Sequence, residues 1–302
     1  MHFQGVFPIL PTPFRDDESL DLDSMARVVR FMRNVKVDGI TVLGVLGEAN
    51  RLNDAEREQV ISSAVAAAEG LPVIVGASAS GTRAAREHAR AAQELGGAAV
   101  MVAPHAEPVP NEERIVEYYR TVADGLTIPI VLQDHPASTQ VHMPAQLIAR
   151  IANELPAIAS IKEEAIPTAP KIRQLRSLLK GPASILTGLG ALYALFDLEA
   201  GSGGFNTGFA FPEALMAMVT AAGAGDWARV RAVYQRFLPL IVFEQQPGVA
   251  VRKEIFRLRG LLASSKVRHP GASIAPETAA QLRALIDWNL PGADLRRPIP
   301  VV

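Results

Sequence analysis

The chain has 302 residues, 49% hydrophobic and 20% charged, and its 30 basic and 31 acidic side chains leave a formal net charge of −1. That balance gives no basic footprint for nucleic acid and no polybasic membrane surface. With no cysteine, disulfides, thiolate metal sites and cysteine nucleophiles are excluded.

The N-terminus has no basic start and no small-residue cleavage site, so no signal peptide is predicted. The 16-residue uncharged run 181–196 is broken by Pro182 and by Gly181, Gly188 and Gly190, so no membrane span is predicted either. A cytoplasmic protein fits these features.

Eight short apolar runs follow in chain order: residues 5–10, 39–43, 72–77, 98–103, 128–132, 158–161, 185–187 and 203–209. Most are rich in Val and Ile and do not alternate, the pattern of strands buried on both faces of a parallel sheet. Amphipathic segments separate them. Residues 21–35 place Leu22, Met25, Val28, Val29 and Met32 at helical spacing. Asn53, followed by Asp54 and Glu56, reads as an N-cap with acids in the first turn. Residues 82–95, 111–123, 144–153, 168–179, 189–198 and 212–222 read as further helices, with Pro144 and Pro212 at tolerated first-turn positions. Gly39, Gly96, Gly97 and Gly181 fall where loops call for a left-handed residue.

The length alone suggests two domains at about 150 residues each. Eight β-then-α units instead predict one (β/α)8 TIM barrel over residues 1–223. Residues 224–302 are then a C-terminal helical appendage: three helices between 226 and 287, and a proline-rich extended tail from 291 to 302. A barrel of this kind places its active site at the C-terminal ends of the strands. The candidates are therefore residues 11–14, 44–48, 76–80, 103–108, 133–138, 162–166, 187–190 and 206–211.

Lys162 ends the sixth strand and by alternation shares a face with Ser160 and Glu164. In a dry barrel mouth desolvation disfavours its ammonium, and the neutral amine can attack a ketone to form a Schiff base. The same residue also reads as a rim lysine paired with Glu163 or Glu164. Residues 44–48 (Gly-Val-Leu-Gly-Glu) form a turn whose amides could face an anion, or a plain βα turn. The glycine-rich stretch 201–208 lacks the Lys-Ser/Thr of a phosphate loop. No spacing of His, Asp and Glu makes a convincing metal site, Glu163 and Glu164 beside His135 being the one arrangement to consider, and no cofactor is implied.

These stretches together resemble the dihydrodipicolinate synthase / N-acetylneuraminate lyase family of Schiff-base barrels acting on pyruvate or related 2-oxo acids. Pro11-Thr12-Pro13-Phe14 resembles its opening T-P-F, Gly44 to Glu48 its G-[ST]-T-G-E turn, and Asn53, Glu56 and Arg57 the motif that follows. Gly76 and Ala77 fit the end of its third strand, Ile161-Lys162-Glu163 its G-[IV]-K-[ED], and Gly188 its seventh-strand glycine. Lys253 to Gly260 and Val267-Arg268-His269-Pro270 resemble its C-terminal K-x-x-L-x-x-x-G and V-R-x-P. The resemblance implies that Lys162 is the Schiff-base lysine, that Val45 and Leu46 hold the substrate carboxylate through their amides, and that Gly188 and Phe205 line the pocket. It also implies a homotetramer built as a dimer of dimers.

The chain departs from the family pattern at the proton relay. The family's fifth strand ends Y-N-x-P, where this chain has Gln133-Asp134-His135-Pro136. Gln133 cannot ionise, so it can only orient a water or an oxygen. Val45 and Leu46 replace the turn's hydroxyl pair. Ala106 stands where a synthase has its second relay tyrosine and Ser138 where it has an arginine, so dihydrodipicolinate synthase activity is not expected. His135 shares a face with Gln133 and is the first candidate proton carrier, ahead of His105. His2, His88, His142 and His269 lie away from the strand ends, and Asp134 points the other way.

The expected function is a Schiff-base lyase of aldolase or dehydratase type, with Lys162, Gln133 and His135 as its catalytic group and Val45, Leu46, Gly188, Phe205, Ala106 and Ser138 contacting substrate. The alternatives are a deaminase or hydrolase of a cyclic imine acid using the same lysine, a 2-oxo-acid-binding protein with little turnover, and, weakest, a metal-dependent aldolase.

Overall fold

The structure, a computed structural model, describes residues 3–108, 111–245 and 248–301; His2 lies outside them. The first four βα units are β1 (Gly5–Val6) with α1 (Leu22–Val35), β2 (Ile40–Val42) with α2 (Asp54–Ala68), β3 (Val73–Gly76) with α3 (Thr82–Glu94), and β4 (Ala99–Val102) with α4 (Glu112–Ala123). Next comes β5 (Ile130–Asp134), followed by a one-turn helix α5 (Pro136–Thr139) and α6 (Ala145–Glu154). The barrel ends with β6 (Ile158–Glu163) and α7 (Thr168–Leu178), β7 (Ser184–Thr187) and α8 (Ala194–Glu199), and β8 (Gly204–Phe205) and α9 (Pro212–Gly223).

All strands pair in parallel in the order β1-β8-β7-β6-β5-β4-β3-β2. The ring closes through the continuation of β1, where Thr41 N donates to Pro8 O and Leu10 N donates to Thr41 O, both at 2.8 Å. The predicted (β/α)8 barrel is present.

Two apolar layers fill it. Phe3, Phe7, Ile74, Ala99, Met101, Val131 and Leu186 plug the interior. A larger layer lies between strands and helices and contains Val42, Val75, Val100, Leu132, Ile161 and Phe205. Such runs read as continuous rather than alternating because both strand faces are dry.

Helix starts follow local chemistry. The Asp21 carboxylate accepts from Ser24 N at the head of α1, and Asn53 with Glu56 forms a full capping box at α2. The predicted left-handed glycines hold at Gly96 (φ 91°), whereas Lys36 (φ 64°) takes that role before β2. Gly39 is needed for another reason: a Cβ there would fall 2.5 Å from the Phe7 ring. The helix predicted over 189–198 begins only at Ala194, because Leu189, Gly190 and Ala191 all adopt positive φ and form a tight turn instead.

Three further helices follow: α10 (Trp227–Gln245), α11 (Val249–Leu258) and α12 (Pro276–Asn289). No helix among the described residues is long and apolar enough to cross a membrane.

Candidate active site

Register fixes what faces the barrel axis. Gln133 pairs with Lys162 and Lys162 with Leu186, and Leu186 belongs to the interior plug. One residue further, Asp134 pairs with Glu163, Glu163 with Thr187 and Thr187 with Phe205, so this row faces outward. The next inward row at the mouth is therefore His135, Glu164, Gly188 and Asn206.

Lys162 is 2% exposed. Its Nζ lies 3.0 Å from Glu164 Oε2, and Gln133 Nε2 donates to that same oxygen at 2.7 Å. The other carboxylate oxygen accepts from Leu189 N at 3.0 Å. Desolvation lowers the Lys162 pKa, opposed by the nearby Glu164 charge and assisted by the positive charge of Arg252. Burial alone would raise Glu164, but Lys162, His135, the Gln133 amide and Leu189 N together hold it below the usual carboxylate range. The result is a buried lysine poised to lose its proton beside a carboxylate kept ionised.

Gly188 leaves the room for this arrangement, since a Cβ there would fall 2.2 Å from Glu164 Oε1. His135 is half-buried and caps α5, with its Nδ1 2.7 Å from Ser138 Oγ. Ser138 is itself exposed and holds the ring.

The β2 turn closes the opposite side. Val45–Gly47 is a 3-10 turn whose first hydrogen bond runs from Gly47 N to Gly44 O, at 2.9 Å, so the Val45 and Leu46 amides precede its hydrogen bonds. The motif residues brace this turn. Thr12 Oγ1 donates to Gly47 O at 2.6 Å, and Arg57 NH2 donates to Gly76 O at 2.7 Å. Glu48, 2% exposed, is held by Lys253, by Arg51 NH1 at 2.5 Å and by Arg268 N at 3.0 Å. Gly76 has to be glycine because a Cβ would lie 1.9 Å from the carbonyl oxygen of Leu43, itself at φ 57°.

Two predicted contacts need correction. Phe205 does not line the pocket: it is paired with Thr187 in the outward row and packs in the layer under the helices, so Asn206 takes the inward position. Ala106 is exposed and, with His105, lines a cavity of about 670 Å3 bounded by Ser80, Tyr118 and His142. Both residues are exposed, and neither is among the bonded partners of Lys162 or Glu164. Glu163 and Glu164 face opposite sides, so they do not converge with His135 on one point. Asp134 faces away, accepting from Lys171 Nζ.

Sequence reasoning held Asn206 only as one position of the strand-end range 206–211, and it missed Arg252. Glu164 was legible only as a residue on the lysine's face, not as the acceptor that joins Lys162 and Gln133.

Comparison with known proteins places the chain in a defined neighbourhood. A family model described as the dihydrodipicolinate synthetase family matches residues 2–288. An L-2-keto-3-deoxyarabonate dehydratase of Azospirillum brasilense is 36% identical over 292 residues, 93% of each chain. A dihydrodipicolinate synthase structure from Rhodopseudomonas palustris superposes with a TM-score of 0.90 at 37% identity, covering 94% of this chain and 97% of that one. A prophage protein of the same family from Escherichia coli K12, solved in complex with pyruvate, gives a TM-score of 0.86 at 26% identity, with 95% and 98% covered.

Proposed function

The chain belongs to the dihydrodipicolinate synthetase family, and from that premise we propose that it dehydrates a hydroxylated 2-oxo acid through a Schiff base on Lys162. Its chemistry is that of a lyase of the class I aldolase type. The observation that carries the dehydratase reading is the Glu164 carboxylate, bound at once to Lys162 Nζ and to the Gln133 amide. A buried carboxylate bonded to Gln133, the residue at the family's tyrosine position, supports reading Glu164 as the base. The dehydratase relative supports the reading, since its name describes a five-carbon 2-oxo acid with a hydroxyl at C4.

The neutral Lys162 amine attacks C2, and the carbonyl oxygen, taking one proton from the amine and one delivered through His135, departs as water to leave an iminium, the His135 proton being returned on final hydrolysis. Glu164 takes a proton from C3, and the electron pair moves into the iminium to give an enamine. The enamine expels the C4 hydroxyl, which leaves as water with the proton returned by Glu164. Hydrolysis of the unsaturated iminium regenerates Lys162. The Val45 and Leu46 amides hold the substrate carboxylate, Gln133 orients the attacking or departing water, and His135, steadied by Ser138, exchanges protons with the mouth.

The family premise also supports a cytoplasmic homotetramer, which sedimentation of the purified chain would test. The function itself is tested by incubating the protein with pyruvate and with 4,5-dihydroxy-2-oxopentanoate, reducing with borohydride and mapping the adduct. The expected mass increase sits on the Lys162 peptide, and the dihydroxy acid loses water on turnover. An adduct absent from that peptide overturns the reading.

A further inference from the structure

Among the described residues, few buried side-chain nitrogens have no hydrogen-bond acceptor, and two of them converge on the end of β8. Asn206 is fully buried, and its Oδ1 accepts from Thr41 Oγ1 at 3.2 Å, while its Nδ2 has no partner. Arg252, 1% exposed on α11, is bound through Nε to Glu244 and donates from NH2 to Gly208 O at 2.7 Å, while its NH1 has no partner. A Cβ on Gly208 would fall 2.0 Å from that NH1. Gly208 is two residues beyond the inward-facing Asn206, so the guanidinium fills the space an inward side chain at 208 would occupy.

Leaving a buried donor unsatisfied costs on the order of 1–3 kcal/mol. Two such donors at the same end of β8, one of them close enough to Lys162 for its charge to act on the ammonium, point to a ligand that supplies oxygen. The other unpartnered nitrogens lie elsewhere: Arg86 and His88 on α3, Asn289 on α12, and Arg51 beside Glu48.

The charge around the pair selects the oxygen. Arg252 is already neutralised by Glu244, which also accepts from Ala210 N at 3.0 Å. What remains is hydrogen-bond donation rather than net positive charge, which suits a hydroxyl better than a second carboxylate. Position agrees with this. Asn206 and Glu164 belong to the same inward row, separated by β7. With strands spaced about 4.8 Å, roughly 10 Å separates their backbones. That gap accommodates the chain of a 2-oxo acid extending from the lysine.

We propose that Asn206 and Arg252 form a donor pair that binds the hydroxyl oxygens beyond C3 of the substrate, and so select hydroxylated 2-oxo acids over their deoxy counterparts. This rests on the Schiff-base reading of Lys162. It assigns the C-terminal extension a direct part in specificity, since Arg252 is a residue of α11. A deoxy acid leaves both donors unsatisfied in a dry site, and a site built to bond an oxygen rejects the ligand lacking it.

The test is the concentration giving half-maximal Lys162 adduct under borohydride for 4,5-dihydroxy-2-oxopentanoate and for 2-oxopentanoate. The unaltered protein should favour the dihydroxy acid at least about tenfold, the scale set by a single unsatisfied buried donor. Asn206→Leu and Arg252→Lys should each reduce that ratio several-fold. The lysine keeps a cation opposite Glu244, and circular dichroism checks that both variants fold. A merely structural role would weaken both acids in parallel and leave the ratio untouched. An unchanged ratio in both folded variants, or equal affinity for the two acids in the unaltered protein, overturns the donor pair alone. Failure of both acids to label Lys162 in the unaltered protein overturns the catalytic reading, and the proposal with it.

Discussion

Glu164 touches more of the site than any other side chain: Lys162, Gln133 and the Leu189 amide all meet its two oxygens. Glu164→Gln keeps the shape and removes the base. The expected outcome is a fall in kcat of about 10²–10⁴-fold, the usual worth of a general base, while pyruvate still forms the borohydride-stable adduct. A variant with near-normal turnover would remove Glu164 from the proton path. Gly188→Ala is a second route to the same carboxylate, because the new methyl falls 2.2 Å from Oε1 and must displace it. Overpacking costs about 1–3 kcal/mol, so the fold should survive while kcat drops as in Glu164→Gln; retained kcat in a folded Gly188→Ala protein would refute this. At this scale Lys162 was legible because it ends a strand, and alternation put Glu164 beside it. Phe205 was placed in the pocket by the family resemblance, and because Gly203 and Gly204 carry no side chains, the eighth strand has no alternation to check that placement against.

Between elements, buried charge does the tethering. Glu48 ties the β2 turn to Lys253 of α11 and to Arg268, and the Lys253 ammonium, lowered to about 8 mainly by burial, also stacks 4.4 Å over the Phe14 ring. Glu48→Ala leaves a cation buried without its partner, at a cost of roughly 3–5 kcal/mol. It should also loosen the Val45 and Leu46 amides, so KM for the 2-oxo acid should rise more than kcat falls. Steady-state kinetics beside a urea melt separate the two effects, and unchanged stability would mean the tie is not needed. The motif residues Thr12, Glu48, Arg57 and Gly76 were visible in the sequence, but their shared task as braces of one turn depends on contacts between distant segments.

A second tether joins β5, β6 and α7. Asp134 and Glu163 face each other on the outward side, with Lys171 bonded to Asp134 and to Met143 O, the latter at 2.7 Å. Burial first, and then the Asp134 charge, push the Glu163 carboxyl up to about 9 from an ordinary 4.5. Between those values the folded chain holds a proton that the unfolded chain has released, so this group makes unfolding easier as pH rises through the window. Glu163→Gln carries no such proton. Its melting temperature relative to the unaltered protein should therefore climb between pH 5 and 9, and parallel curves would rule the retained proton out.

At the scale of the molecule, the (β/α)8 order was written in eight apolar runs, whereas the path of the C-terminal segment was not, because nothing local says where a helix folds back. That path matters to the site. Arg259, the C-cap of α11, bonds Glu213 at 2.5 Å and Ala210 O at 2.7 Å, between the Phe31 and Phe211 rings. The tail completes this anchor: Leu295 O and Arg297 O accept from Arg259 at 3.2 and 3.3 Å, and Ile299 N donates to Glu213 at 2.9 Å. Seven residues earlier on the same helix, Arg252 bonds Gly208 O, so α11 is pinned to the end of β8 at both of its arginines. Removing residues 294–302 strips the tail bonds from one pin. A loss of about 1–3 kcal/mol follows from unsatisfied buried groups, or a few degrees in Tm for a chain of this size. Because the second pin carries the proposed hydroxyl donor, truncation should also reduce the preference for the dihydroxy acid while Lys162 labelling persists. Scanning calorimetry and the two-acid labelling ratio on one truncated protein test both parts. A lowered Tm with an intact ratio would mean that Gly208 and Glu244 alone hold Arg252 in place.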